Sequence, residues 1–198
     1  MAAGCQTSPR SWGLLCYAVG SGKGKYCEVW HGKWKWGKVA VKIFPSREEL
    51  QWRREIEIYN TAFLQHENVL AYMGSDLASE GGCTQYWLVM QLHEAGSLYD
   101  HLQQVDSVDA ERLFCIVGTS LAGLLHLHTR FCGIQGKLAI AHRDLKSRNI
   151  LVKASGDCCI ADFGLSLVQK ADGTLDVGDN LIVGTKRCFG AGLPLSLP

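Results

Sequence analysis

The stretch Ile140-Ala141-His142-Arg143-Asp144-Leu145-Lys146-Ser147-Arg148-Asn149-Ile150-Leu151-Val152 sets a run of polar groups between two apolar ends. Asp144 can accept a proton from a hydroxyl, and Asn149 offers an oxygen ligand to a hard divalent cation. Lys146 adds positive charge beside them. A little further on, Cys158-Cys159-Ile160-Ala161-Asp162-Phe163-Gly164 ends a short strand in an acid and a glycine, and Asp162 is the expected main ligand for that cation. Adjacent cysteines in a strand point to opposite faces, which suits packing and not metal.

Upstream, Lys38-Val39-Ala40-Val41-Lys42-Ile43-Phe44 alternates as a half-buried strand does. A lysine inside such an apolar run is costly without an anionic partner. The following segment, 48–64, carries helix formers with Trp52, Ile56, Tyr59 and Phe63 at helical intervals. Glu55 lies near Ile56 and Tyr59 on that wheel and is the expected partner of Lys42, with Glu57 as the competing choice. Before the strand, Gly22-Lys23-Gly24-Lys25-Tyr26-Cys27-Glu28-Val29 lies between two strand-like runs. Glycines at such a turn let the backbone approach phosphates, although on its own this stretch is better explained as an ordinary hairpin turn. Cys27 stands where a third glycine is wanted; it is either a small buried filler or a thiol near a nucleotide.

Together these stretches meet the demands of phosphoryl transfer from ATP: a cation on the phosphates, ligands for Mg²⁺ and a carboxylate facing the attacking hydroxyl. Their order is that of the protein-kinase signature set. A chance His-Arg-Asp on a surface loop accounts for one motif and not for all of them. Trp30-His31-Gly32-Lys33-Trp34, Glu57-Ile58-Tyr59-Asn60-Thr61, His93-Glu94-Ala95-Gly96-Ser97-Leu98-Tyr99-Asp100 and Gly184-Thr185-Lys186-Arg187 narrow the match. With these the chain, from about residue 14 to 187, resembles the type I receptors of the TGF-β/BMP/activin superfamily.

The resemblance implies an α+β, bilobal kinase-like fold that uses ATP with Mg²⁺ or Mn²⁺. It implies catalytic roles for Asp144, Lys146 and Asn149, with metal held by Asn149 and Asp162. Nucleotide contacts are implied for Gly22, Lys23, Gly24, Val29, Ala40, Lys42, Glu55, His93 and Leu151, with Gln91-Leu92-His93 as the hinge. The Asp-Leu-Lys pattern at 144–146 resembles serine/threonine kinases. Implied partners are receptor-regulated Smad proteins as substrates and a type II receptor of the same superfamily, with the bone-morphogenetic and activin-like branches nearest. Met90 stands behind the adenine where the family has a small Ser or Thr, and Phe163 where it more often has Leu. In the family the loop at 76–83 helps choose the Smad. Its residues here depart from the family's versions, and without the family it is simply a flexible polar loop.

The expected organisation is an N-terminal extension (1–13), an N-lobe and hinge (14–95), part of a C-lobe through the activation segment (96–187) and an aberrant tail (188–198). The C-lobe begins with helices at 97–104 and 110–129. The tail has two prolines, two glycines and no helical period, and reads as out-of-frame or alternatively spliced sequence. Helices that the family places after residue 187 would cover Leu113, Ile116, Val117, Leu121, Leu124 and Leu125; without them an exposed apolar face is expected. The apolar run at 12–19 falls short of the roughly 20 residues a span needs. It is expected to be a first strand and not a signal peptide. Members of the family are single-pass plasma-membrane proteins with a cytoplasmic kinase; the chain as written has no span and is expected in the cytoplasm.

Composition sets outer limits. Hydrophobic residues make up 47% of the 198, enough for a core, and 20 basic against 19 acidic residues give a net charge of +1. No basic stripe points to nucleic acid and no polybasic run to a lipid surface. Nine cysteines without paired spacing argue against a disulfide framework or a zinc site. His126 and His128, two apart on a helix, do not share a face. Three functions follow from the sequence: a receptor-type serine/threonine kinase, a non-catalytic ATP-binding or decoy form, and an unstable fragment.

Overall fold

The computed structural model describes residues 5–7, 15–17, 26–34, 37–80, 82–132, 136–175 and 184–185. Its first part is an antiparallel sheet built from β1 (Cys5–Thr7), β2 (Leu15–Tyr17), β3 (Glu28–Trp34), β4 (Gly37–Pro45), β5 (Tyr72–Glu80) and β6 (Cys83–Gln91). The strand order is β1-β2-β3-β4-β6-β5. Helix α1 (Glu49–Tyr59) joins β4 to β5. The second part holds α2 (Leu98–Gln104), α3 (Ala110–His128) and four short strands, β7 (Ile140–Ala141), β8 (Ile150–Val152), β9 (Cys158–Ile160) and β10 (Leu167–Val168). These pair antiparallel as β8 with β9 and β7 with β10. The arrangement is α+β, a sheet with one helix followed by helices and paired ribbons, as the resemblance implies.

Strand β4 is buried on both faces, not half-buried. Successive side chains alternate between faces, so Val39, Val41 and Ile43 enter one cluster with Ala78, Trp87 and Val89, against which Trp30 and Trp34 pack. Phe44, on the other face with Ala40 and Lys42, enters the larger cluster with Leu88, Met90 and Phe163. Tryptophans on neighbouring strands supply the second cover, which the local pattern of β4 cannot reveal. The polar loop expected at 76–83 is instead the end of a hairpin: Glu80 pairs with Cys83, and Asp76 and Ala78 are buried. The connection shrinks to two residues, with Gly82 at φ +80°, a conformation glycine adopts without a Cβ penalty.

Helix α1 is shorter than the expected 48–64. The backbone N–H of Asn60 bonds the carbonyls of Ile56 and Ile58, and the Thr61 hydroxyl bonds that of Glu57, closing the last turn. Phe63 therefore leaves the apolar face; it is 62% exposed with φ +56°.

The larger core runs through both parts, taking Ile58, Tyr59, Leu88 and Met90 from the first and Leu127, Ile140, Ile160 and Phe163 from the second. Asn68 fastens the two together. Its amide donates to the Cys158 carbonyl at 2.8 Å and its own carbonyl accepts from Ile160 at 2.9 Å. Gly123 of α3 lies so close that a Cβ there would meet the Asn68 oxygen at 2.3 Å.

Helices α2 and α3 begin at side-chain caps, Ser97 accepting from the N–H of Asp100 and Asp109 from that of Arg112. Helix α3 packs Ile116, Gly123 and Leu127 inward, while Leu113, Phe114, Val117, Leu121 and Leu125 are exposed. Of the six side chains expected not all to find cover, Ile116 is buried and Leu124 packs on the core, while the other four are exposed. By length and composition alone α3 is the one helix among the described residues that could cross a membrane. Here it lies against β9 and β7.

Candidate active site

Lys42 projects from the middle of β4 with 8% exposure and meets two acids. Its Nζ lies 2.7 and 2.9 Å from the Glu55 carboxylate oxygens and 2.8 Å from Asp162 Oδ1. Of the two glutamates weighed from the sequence, Glu55 is fully buried and faces the lysine, whereas Glu57 is exposed. Burial pulls the Lys42 ammonium down, but Glu55 and Asp162 more than offset it, so its pKa is raised. Burial pushes the Glu55 carboxyl up against the opposing pull of Lys42. For Asp162 burial raises and Lys42 lowers, and the net shift is downward, which keeps this carboxylate ionised.

A second cluster forms on the loop between β7 and β8. Lys146 Nζ lies 2.5 Å from Asp144 Oδ2, and Asn149 Nδ2 donates to the Asp144 carbonyl at 2.9 Å and to its Oδ2 at 3.2 Å. Through Nδ2 the amide of Asn149 is turned to Asp144, so its oxygen is the atom that could meet a cation. The two clusters are neighbours because the N–H of Ala161, the residue before Asp162, donates to the Asn149 carbonyl at 2.8 Å.

His142 ties the same junction. Its Nε2 lies 3.0 Å from the Ala161 carbonyl and its Nδ1 accepts from the Asp144 N–H at 3.3 Å, a pattern only the neutral ring with its proton on Nε2 satisfies. Burial lowers the His142 pKa, in keeping with that neutral form. Arg143 and Asp162 both sit at positive φ, +66° and +67°. Non-glycine residues stay in that region only where their surroundings hold them there.

Val29, Ala40 and Leu151 are half-buried. Val29 is the cross-strand partner of Lys42, and Ala40 of Met90. Leu151 pairs with Cys159 in the β8–β9 ribbon. Met90 is buried, and its sulfur accepts from the Tyr59 hydroxyl at 3.7 Å. His93, half-buried, accepts through its carbonyl from the Gly96 N–H at 3.0 Å, just after the sheet ends. Gly22, Lys23 and Gly24 lie outside the described residues. Cys27 packs against the main core, and burial raises its thiol to about 11. That answers to the filler and not to a reactive thiol.

Thr185 was not singled out as a site residue from the sequence. Its N–H and hydroxyl both donate to Asp144 Oδ1, at 2.9 and 2.8 Å, while Lys146 donates to the hydroxyl at 2.8 Å. The signal was present only as part of Gly184-Thr185-Lys186-Arg187. A separate concavity of about 900 Å³ lies between Tyr59, Phe63, Tyr72, His126 and Phe131. None of the expected site residues lines it.

Asp162 and Asn149 offer a carboxylate and an amide oxygen, hard donors that suit Mg²⁺ or Mn²⁺. No group of three or more His, Cys, Asp or Glu among the described residues could hold a metal by itself. Magnesium does not need one, since one or two protein oxygens with substrate phosphates are its usual shell.

Residues 18–186 match the family model described as protein tyrosine and serine/threonine kinase. The chain is 54% identical over 167 residues to the activin receptor type-1 of Homo sapiens, 51% to the activin receptor type-1-like protein of Mus musculus and 52% to the TGF-beta receptor type-1 of Rattus norvegicus. Each match covers 84% of this chain and 33% of the relative, so the chain spans about a third of the length of the curated relatives it matches. Taken with the geometry above, these similarities make the chain a member of the protein tyrosine and serine/threonine kinase family, similar over its kinase region to activin and TGF-beta type-1 receptors.

Proposed function

We propose that the chain transfers the terminal phosphoryl group of ATP to serine or threonine hydroxyls. The observation that carries this reading is that Lys42 joins Glu55 and Asp162 one backbone hydrogen bond away from the Asp144–Asn149 pair. Lys42, oriented by the buried Glu55, is the cation for the nucleotide phosphates. Asp162 and Asn149 are the residues that would hold Mg²⁺ or Mn²⁺. When bound, that ion neutralises charge on the phosphates. Asp144 is the carboxylate that receives the proton of the attacking hydroxyl. Lys146 holds Asp144 in place and adds positive charge beside the transferred group. The Thr185 hydroxyl, bonded to both, fixes the face that Asp144 presents. Gly22, Lys23 and Gly24 are assigned to the phosphates, and Val29, Ala40, Leu151 and the backbone at His93 to the base.

The type I receptor relatives and the Asp-Leu-Lys pattern support serine/threonine transfer. The same resemblance extends the proposal to receptor-regulated Smad proteins as substrates and a type II receptor as partner. The test is incubation of the purified chain with labelled ATP, Mg²⁺ or Mn²⁺ and a Smad C-terminal peptide. Serine-linked label that is lost in Asp144→Ala is the expected outcome. Equal label with both proteins refutes the reading.

A further inference from the structure

Helix α1 carries Gln51, Glu55 and Tyr59 at intervals of four, and so on one face. Each member of the row touches the segment Asp162-Phe163-Gly164. The Tyr59 ring meets the Phe163 ring edge-on, with centroids 5.1 Å apart at 88°. The Phe163 backbone N–H also acts on the Glu55 carboxylate, favouring its charged form. Gln51 Nε2 donates to the Gly164 carbonyl at 2.6 Å. Glu55 is already committed to Lys42, but Gln51 is a half-buried, uncharged side chain outside the transfer machinery.

We propose that Gln51 is a positioning residue, pinning the Gly164 carbonyl to α1 and thereby holding Asp162 at Lys42. Asp162 occupies a left-handed conformation at φ +67°, which needs support from both sides. On its N-terminal side Ala161 is tied to Asn149 and His142. On its C-terminal side the supports are the Phe163 contacts, the turn in which Ser166 N–H bonds the Phe163 carbonyl at 2.9 Å, and Gln51. Space also favours the arrangement. A Cβ on Gly164 would lie 2.2 Å from Gln51 Nε2, so the glycine leaves room for the amide. A shift of α1 away from β9 would break all three contacts of the row together. The inference rests on the phosphoryl-transfer reading, because the metal-holding role of Asp162 gives its placement a purpose.

The test is amide hydrogen exchange on the full chain without nucleotide, comparing wild type, Gln51→Met and Gln51→Lys. Methionine keeps the length and removes the donor; lysine keeps a donor at similar reach. One ordinary hydrogen bond corresponds to a change of about three- to tenfold in a local opening equilibrium. The Phe163 and Ser166 amides are therefore expected to exchange about three- to tenfold faster in Gln51→Met. Rates in α3 stay unchanged, and Gln51→Lys returns the segment to within about twofold of wild type. Unchanged exchange at Phe163 and Ser166 in Gln51→Met, or equal acceleration in both variants, overturns the inference. The readout needs no turnover, so a wild-type chain that transfers no phosphate sinks the functional reading and leaves this test decisive.

Discussion

Replacing Lys42 by methionine removes the cation that Glu55 and Asp162 share, and the two acids do not suffer equally. The Asp162 side chain is 44% exposed and recovers hydration, whereas Glu55 is 0% exposed and cannot. Removing one partner of a buried ion pair costs about 3–5 kcal/mol, because the survivor stays buried and uncompensated. With a urea slope of about 2–3 kcal/mol/M for a chain of this size, the unfolding midpoint should fall by about 1–2.5 M. Tryptophan fluorescence reports it, since Trp87 and Trp52 lie in or against the cores beside β4. The double variant Lys42→Met/Glu55→Leu removes the stranded charge, so its stability should return to within about 1 kcal/mol of wild type.

The pH dependence has a defined sign. The Glu55 carboxyl is already raised by burial, and loss of Lys42 raises it further. A group whose folded pKa is raised contributes stability at low pH that is lost as pH rises through the folded value. The deficit of Lys42→Met should therefore be smaller at pH 5.5 than at pH 8. A double variant no more stable than the single, or a deficit that grows on acidification, would refute the reasoning.

Three other outcomes are expected. Lys137 is fully buried and donates to the carbonyls of His126, Leu127 and Thr129 at 2.6, 2.9 and 2.8 Å, closing the end of α3; Lys137→Met should cost about 2–3 kcal/mol in urea unfolding, and a loss below about 0.5 kcal/mol contradicts that role. Burial lowers the pKa of His93, His126 and His142 from the ordinary 6.5, so the unfolded chain binds more protons between the lowered values and 6.5. Melting temperature should then drop as pH falls from 7.5 to 5.5, even though Glu55 pulls the other way; a flat or rising profile contradicts it. At pH 7.5 iodoacetamide should label the exposed Cys83 and Cys132 well before Cys27, whose thiol is held at about 11, as mass mapping would show; equal labelling rates contradict that.

What could be seen in the sequence was whatever short-range pattern encodes. Lys42 inside an apolar strand, Asp144 and Asn149 between apolar runs, and Asp162 ahead of Phe163-Gly164 each announce a polar group held by its neighbours. The choice of Glu55 over Glu57 followed from helical phase, and the structure turns Glu55 inward. What stayed hidden depends on partners remote in the chain. Strand β4 looked half-buried because Trp30, Trp34 and Trp87, which close its other face, come from other strands. The segment 76–83 looks like a loop by its polar, glycine-ending composition, although Asp76 is buried. Helix α1 looked longer because Phe63 kept the apolar phase beyond the cap at Asn60. Thr185, Lys137 and Gln51 are ordinary residues until the fold brings Asp144, the end of α3 and Gly164 to them.

In the proposed reaction Lys42 and Asp162 serve one nucleotide together with a metal ion. Calorimetric titration of the chain with ATP, in Mg²⁺ and in excess chelator, tests this most directly when repeated on Asp162→Asn. Binding in Mg²⁺ that weakens at least about tenfold in chelator, with the metal effect abolished in Asp162→Asn, is the predicted result. Affinity that ignores both the metal and the substitution, or no binding by a cooperatively folded wild type, would contradict it.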